Sequence, residues 1–282
     1  MKLIGIYGFK ESAVTNSMDF GNKAMTLTFG DRAENHQGMQ MLGEGASEGF
    51  THADLSRIVE YMEALGYGHM CELTDLRELA WFRPDGVPEP SPAYLLVLRH
   101  FVAQKRANEI FEENMAFEWD KQLWNWKQKV VQNKHARHNV CYADEAQEAN
   151  FLEGKGTIVA WDSVPATHAV AGTLPVLLGE KGEGLVCEGN LYYDVAKTGI
   201  GWHGDKERKK VVGLRFGESI PLKFRWWYRN KSFGETLSVM LNHGDAYIMS
   251  EKAVGWDWGC PVKHGPTLRH SAGCDKYTKV SK

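Results

Sequence analysis

Short apolar runs and one amphipathic repeat organise the first 80 residues of the chain. The runs at residues 2–9 and 24–29 have the length and aromatic content of strands. After a glycine-rich stretch, apolar residues recur at helical spacing at Leu55, Ile58, Val59, Met62 and Leu65. Thr51 stands at the N-cap position and Gly66 follows the last apolar residue. The pattern predicts two strands and one capped helix.

The remaining chain changes character twice. Residues 81–92 hold four prolines, which disfavour both helix and sheet and indicate a boundary. Residues 93–133 have an apolar spacing that predicts helices. From residue 157 onward, short apolar runs separated by glycines are typical of a β-sandwich or barrel: 158–161, 185–187, 191–193, 211–216, 222–228, 237–241 and 246–249. We therefore predict an α+β protein with a mostly helical N-terminal part, divided into an α/β region of unassigned role (1–92) and a second domain (93–282).

The most informative local motif is His203-Gly204-Asp205. Residues i and i+2 of a strand point to the same side, so one imidazole and one carboxylate can face a single ion. Together with a distant histidine they would form the facial triad of non-haem Fe(II) oxygenases, which leaves three coordination positions open. A chain with 11 histidines also contains such a triplet by chance, and a surface turn is the alternative interpretation.

Other motifs surround this triplet in a recognisable order. Asn190-Leu191-Tyr192 precedes it, His243-Gly244-Asp245 and an apolar run follow it, and His264 and His270 come last. Over residues 135–282 this order resembles the AlkB-like branch of the Fe(II)/2-oxoglutarate dioxygenases, and the TET/JBP oxygenases share the triad. The resemblance implies a double-stranded β-helix (jelly-roll) core in the C-terminal half with helical N-terminal additions. It also implies Fe(II) as the metal cofactor, with 2-oxoglutarate and O2 as co-substrates.

The resemblance also implies roles for individual residues. In this superfamily a basic residue nine or ten positions after the last metal ligand binds the distal carboxylate of 2-oxoglutarate. Lys279 lies nine residues after His270, whereas no basic residue lies at that distance after His264. This favours His203, Asp205 and His270 as the metal ligands and catalytic centre. Asn190, Tyr192 and Lys279 would bind the co-substrate.

One departure from the AlkB pattern keeps the co-substrate open. AlkB proteins place two arginines well after the last histidine, and this sequence has none there. A lysine binds a carboxylate as a point charge, without the bidentate fork of arginine. Ascorbate is therefore an alternative co-substrate, because a TET-like algal branch with a similar layout uses it.

The distribution of charge bears on the partner. The formal charge is only −3, which excludes a general nucleic-acid coat protein. However, residues 199–282 contain 15 basic and 8 acidic side chains, whereas residues 1–198 contain 18 and 28. The basic third carries the candidate metal ligands, so the distribution indicates a polyanionic partner for that part of the chain.

Particular residues predict how a nucleic acid would be bound. Basic and aromatic residues alternate around Arg225 and Trp227, which suits phosphates and bases. Glu207 occupies a place similar to the AlkB residue that contacts a flipped base, and we add Arg208 and His138 as substrate-binding candidates. The alternative is that these aromatics fill the barrel while the cations form its solvated outer face.

These observations predict an enzyme that oxidises a methyl or alkyl C–H group on a nucleic-acid base, with DNA favoured over RNA. Three alternatives stay open: an ascorbate-type 5-methylcytosine oxygenase, a protein or small-molecule hydroxylase with the same iron site, and a non-catalytic binding module. Five scattered cysteines without a CxxC motif predict free thiols in a reducing compartment. With no long apolar segment, we expect an intracellular (cytoplasmic or nuclear) protein without a membrane partner.

Overall fold

A computed structural model describes residues 18–260 and 265–280. The strands are β1 (Ala24–Gly30), β2 (Arg32–Glu34), β3 (Met41–Gly43), β4 (Cys71–Asp75), β5 (Tyr94–Leu98), β6 (Gln122–Asn125), β7 (Val130–Asn133), β8 (His138–Ala143), β9 (Ile158–Ala160), β10 (Val186–Tyr192), β11 (Gly199–His203), β12 (Val211–Gly217), β13 (Ile220–Tyr228), β14 (Lys231–Leu241), β15 (Ala246–Met249) and β16 (Thr267–Gly273).

Helices lie between these strands. The α-helices are α1 (His52–Ala64), α2 (Gln104–Met115), α3 (Pro165–Ala171), α4 (Leu174–Leu178), α5 (Glu251–Val254) and α6 (Asp275–Thr278). Short 3-10 helices span Gly68–Met70, Leu76–Ala80, Phe151–Glu153, Trp161–Ser163 and Gly179–Gly182. None of the helices in the described part of the chain has the length and apolar composition needed to cross a membrane.

The larger sheet has eight strands in the order β4-β5-β15-β12-β1-β10-β8-β9. Neighbouring strands are antiparallel except β8 and β9, which run parallel. β1 lies near the centre, paired with β10 on one side and β12 on the other, and all seven of its residues are buried. Its continuous apolar character follows from burial on both faces.

The smaller sheet has four antiparallel strands in the order β11-β16-β13-β14. In β13, Leu222, Phe224 and Trp226 are buried while Lys223 and Arg225 between them are half-buried, as expected for a strand with one face on the core. One buried cluster joins residues of both sheets, including Tyr192 of the larger sheet and Phe224 of the smaller. The two sheets therefore pack face to face.

Several sequence predictions are confirmed. The protein is α+β, and the predicted helix is α1, which begins with a capping box. The Thr51 hydroxyl accepts from the Asp54 amide (3.3 Å), and the Asp54 carboxylate accepts from the Thr51 amide (2.7 Å). The run at 24–29 is β1, and the later runs form strands, with 185–187 and 191–193 joined in β10. The run at 2–9 lies outside the described residues.

The helical prediction for residues 93–133 is wrong outside α2. Residues Tyr94–Leu98 form β5, and β6 and β7 form a hairpin. A five-residue apolar run fits a buried strand as well as a helix, and here both faces of β5 are covered. The N-terminal part is accordingly rich in strands. The sheet also crosses the predicted boundary at residue 92, because β4 pairs with β5.

Candidate metal centre

Two histidines and one aspartate meet at one end of the space between the sheets. The Nε2 atoms of His203 and His270 lie 3.4 and 3.5 Å from the same oxygen, Oδ1 of Asp205. One donor atom from each of the three side chains lies within 4.8 Å of the others. The side chains are 24, 8 and 12% exposed for His203, His270 and Asp205. Such a donor set suits a divalent transition metal.

The strand register brings the two histidines together. His203 ends β11 and is the direct partner of His270 on the adjacent strand β16. Non-consecutive strands thus place residues 67 positions apart at one level of the sheet. The ring of His203 is oriented by a 2.8 Å hydrogen bond between Nδ1 and the carbonyl oxygen of Gly201. With that proton on Nδ1, the Nε2 lone pair of His203 faces the aspartate.

Gly204 is required by a close backbone approach. A Cβ at this position would lie 2.2 Å from the carbonyl oxygen of Gly255, which follows α5. The Asp205 amide donates to the carbonyl of Val254 at 3.0 Å, which fixes the turn after β11. The glycine of the triplet therefore allows the chain to pack against α5 while both ligands face inward.

A buried arginine keeps Asp205 ionised. Burial alone would raise the pKa of Asp205, but the nearby Arg208 guanidinium, together with the two histidines, holds this pKa well below its usual range. Arg208 Nε lies 3.3 Å from Asp205 Oδ2, and its Nη2 lies 2.9 Å from Glu188 and 2.8 Å from Glu207. Asp205 is therefore a carboxylate, the form that binds a metal ion.

The three side chains open into a cavity of about 410 Å³. Its walls come from both sheets and from the turn after β2, and they combine apolar, acidic and basic groups. Glu34, at the end of β2, has a pKa raised to about 7 by burial and by the neighbouring Glu207. The pKa of His36 is lowered to about 4 by burial and by Arg137. The cavity thus has space for a small acid and a second group beside the metal ligands.

Arg215 is the most unusual side chain of this cavity. It lies on β12, is only 1% exposed and faces the cavity. Its Nε and Nη1 atoms have no hydrogen-bond partner among the described residues, and its guanidinium carbon lies 5.5 Å from the ring centre of Tyr192. A buried guanidinium without a carboxylate is costly, and burial lowers its pKa. An anion in the cavity would supply the missing partner.

Of the three predicted co-substrate residues, two line the cavity and one lies outside it. Asn190 and Tyr192 line the cavity. The Asn190 side-chain oxygen already accepts from Arg137 (2.6 Å) and Asn139 (2.7 Å). Lys279 is exposed and outside the cavity lining; its carbonyl oxygen accepts from the Trp202 indole at 3.3 Å. His264, the alternative third ligand, lies outside the described residues.

The predicted substrate residues fall into two groups. Glu207 and Arg208 line the cavity, although Arg208 is held by three carboxylates. Arg225 and Trp227 are outside the cavity lining and belong to the outer side of β13. His138 is also outside it, on β8, stacked on Tyr193 at 4.3 Å between ring centres.

Sequence reasoning missed Arg215, Glu188 and Glu34, which all line the cavity. Arg215 is the single charged residue in the apolar run at 211–216, and such an interruption of a buried strand could have indicated it. Glu188 likewise interrupts the apolar residues of β10. Glu34 belongs to a short hairpin, and its sequence gives no comparable indication.

The chain is similar to a viral protein over nearly its whole length. It is 38% identical over 259 residues to "Uncharacterized protein R156" of Acanthamoeba polyphaga mimivirus. The alignment covers 91% of this chain and 98% of the viral protein, so it includes both the N-terminal and the C-terminal parts. No family model matches the chain.

Proposed function

Because the chain belongs to the same family as the mimivirus protein, whose name states no activity, we propose its function from the site itself. We propose a non-haem Fe(II) dioxygenase that uses 2-oxoglutarate and O2 to oxidise a methyl or alkyl C–H group on a nucleic-acid base. Methylated DNA is the favoured substrate. The observation that carries the proposal is the group of His203, Asp205 and His270 in one cavity.

In this proposal the two facing sheets are the halves of a double-stranded β-helix. Support comes from the smaller sheet, in which β11 and β16 are neighbours and carry the two histidines as a register pair. In the larger sheet, β1 from the N-terminal part lies between β10 and β12. The N-terminal part thus completes the wall opposite the metal ligands.

The ligand residues fit an iron ion in donor type and spacing. His203, Asp205 and His270 would hold Fe(II), which when bound supplies the activation of O2. The chain's own residues prepare the site. Arg208 keeps Asp205 deprotonated, and the Gly201 carbonyl orients the His203 ring.

We assign the carboxylate of the 2-oxo acid to Arg215. Its buried guanidinium lines the cavity and has donors without a partner among the described residues, and Tyr192 lies against it. A carboxylate there would gain charge-assisted hydrogen bonds and neutralise the buried cation. Lys279, exposed and outside the cavity lining, does not fit this role. The carboxylate anchor in this proposal therefore belongs to β12.

The mouth of the cavity would receive the base. Glu34 and Glu207 line this cavity, and burial raises the pKa of each carboxyl group. The Glu34 carboxyl, whose pKa is about 7, can when protonated both donate and accept, as the edge of a nucleobase requires. The same acidic groups support a second candidate, a hydroxylase of a cationic protein side chain or small molecule. Ascorbate in place of 2-oxoglutarate is the further alternative.

Product analysis tests the proposed reaction. Protein with Fe(II), 2-oxoglutarate and O2 is incubated with methylated DNA, and the nucleosides are analysed by mass spectrometry. We expect a nucleoside that has gained an oxygen or lost its methyl group. Asp205→Asn should abolish this product, whereas the matched exposed variant Asp144→Asn should keep it. Oxidation of proteins or small molecules but not of DNA or RNA would reject the nucleic-acid assignment.

A further inference from the structure

Two arginines oppose each other on the outer side of the smaller sheet. Arg225 of β13 and Arg269 of β16 are direct cross-strand partners. Directly opposed like charges on neighbouring strands destabilise a sheet. In the described part of the chain, the hydrogen bonds of both guanidinium groups go to neutral oxygens, of Thr236 for Arg225 and Asn230 for Arg269, each at 3.1 Å. Within residues 18–260 and 265–280 the pair therefore lacks a compensating carboxylate.

Each arginine also has an unused donor. The Nε atoms of Arg225 and Arg269 are buried and have no hydrogen-bond partner among the described residues. Burial lowers the pKa of Arg269, and no anion among the described residues offsets its desolvation. Two arginines on adjacent strands bring two positive charges to one place, and guanidinium groups are suited to binding a phosphate group.

Aromatic rings connect this arginine pair to the cavity. The Arg269 guanidinium lies between two indoles, 5.0 Å from the ring centre of Trp227 and 4.9 Å from that of Trp258. The ring centres of Trp227 and Trp202 are 5.0 Å apart, and Lys206 Nζ lies 4.7 Å from the ring centre of Trp258. Trp202, Trp258 and Lys206 all line the cavity. A row of cations and indoles thus runs from the cavity rim onto the outer face.

We propose that this row, defined as Lys206, Trp258, Arg269, Trp227, Trp202 and Arg225, binds the DNA strand that flanks the target base. The arginine pair receives a backbone phosphate, and the half-buried indoles Trp202 and Trp258 contact the sugar or base beside the cavity rim. DNA is the occupant that matches the surface, because it supplies closely spaced negative charge to a face whose arginines have no carboxylate partner in the part of the chain that the structure describes. The strand would pass outside the metal centre while one base enters.

This inference rests on the proposed function only for the choice of DNA. The row is separate from the metal ligands, since Arg225 and Arg269 are outside the cavity lining. Binding can therefore be measured without iron, 2-oxoglutarate or oxygen. If the protein binds DNA through this row but does not oxidise it, the DNA-binding surface is supported and the proposed enzymatic function is rejected. If the protein oxidises DNA but replacing the row does not weaken DNA binding, only the DNA-binding surface is rejected.

The experiment measures anisotropy of a fluorescein-labelled methylated oligonucleotide against metal-free protein over a series of salt concentrations. We compare wild type with Arg225→Gln/Arg269→Gln and with Lys105→Gln/Lys155→Gln, which removes the same charge from exposed positions on α2 and before β9. In the arginine variant, affinity should fall about tenfold and the slope of log K against log salt should decrease by about 2. The lysine control should stay within about twofold of wild type.

Two further measurements separate binding from folding. Because the opposed arginines repel each other, their replacement should leave the melting temperature unchanged or raise it. A lower melting temperature together with weaker binding would indicate a structural role and overturn the inference. Equal losses in the lysine control, an unchanged salt slope in the arginine variant, or binding of RNA but not DNA would also overturn it.

Discussion

The replacement Arg215→Met tests the assignment of the carboxylate anchor through two effects of opposite sign. Methionine is similarly long and apolar, so it keeps most of the packing while removing a charge that is 1% exposed and has two unpaired donors. Removing an uncompensated buried charge should stabilise the metal-free fold by about 1–3 kcal/mol. Losing a charge-assisted bond should weaken 2-oxoglutarate binding by about 2 kcal/mol, or about 30-fold.

Arg208→Met is the matched control, because Arg208 is buried to a similar degree but paired with Asp205, Glu188 and Glu207. Its removal leaves buried carboxylates without a partner and should destabilise the protein by about 3–5 kcal/mol. Stability is measured by urea unfolding, and 2-oxoglutarate binding by calorimetry on protein loaded with Zn²⁺. An Arg215→Met protein that is less stable and binds 2-oxoglutarate as tightly as wild type would refute the reasoning.

Three other predictions follow from particular contacts. Gly204→Ala should weaken divalent-metal binding by more than about tenfold, because a Cβ there meets the Gly255 carbonyl at 2.2 Å; Gly201→Ala, with a nearest atom at 3.8 Å, should bind normally in calorimetry. Burial lowers the pKa of Lys134 to about 7, so the unfolded chain binds a proton that the fold excludes between about pH 7 and 10.5. Unfolding free energy should rise with pH across this window by about 1.4 kcal/mol per unit from this group, and Lys134→Met should lack that contribution in urea titrations at several pH values. Thr51→Ala removes half of the capping box and should lower the unfolding free energy by about 1 kcal/mol, whereas an unchanged urea midpoint would contradict the role of the cap.

The sequence pattern correctly predicted those helices and strands whose formation depends on residues close together in the chain. The α1 helix follows from its apolar spacing and its cap at Thr51, and β13 follows from an alternation of apolar and polar residues. β5 was wrongly predicted as helix, because an uninterrupted run of five apolar residues shows neither the helical nor the strand periodicity. The place of β1 between β10 and β12 could not be predicted, since it depends on pairing with strands more than 150 residues away.

The residues of the candidate site also fall into those that the sequence could predict and those that depend on tertiary packing. The close spacing of His203 and Asp205 predicted that they would face one ion, but the reason differs from the expected one: Asp205 lies in the turn after β11 and not on the strand. The position of His270 depends on the register of β11 and β16, which the sequence does not state. Lys279 was predicted from the family resemblance and its distance from His270 along the chain, whereas the burial of Arg215 depends on how β12 packs in the larger sheet. The position of Arg215 as a charged residue within the apolar run at 211–216 was the local indication of its unusual role.

The proposed function depends on His203, Asp205 and His270 forming an iron centre that accepts a 2-oxo acid. The most direct measurement is an anaerobic Fe(II) titration, followed by addition of 2-oxoglutarate and visible absorption spectroscopy. We predict one equivalent of bound iron in wild type, none in Asp205→Asn, and a weak visible charge-transfer band when the 2-oxo acid chelates the metal. Wild-type protein that binds no Fe(II), or that binds it equally well after Asp205→Asn, would contradict this proposal.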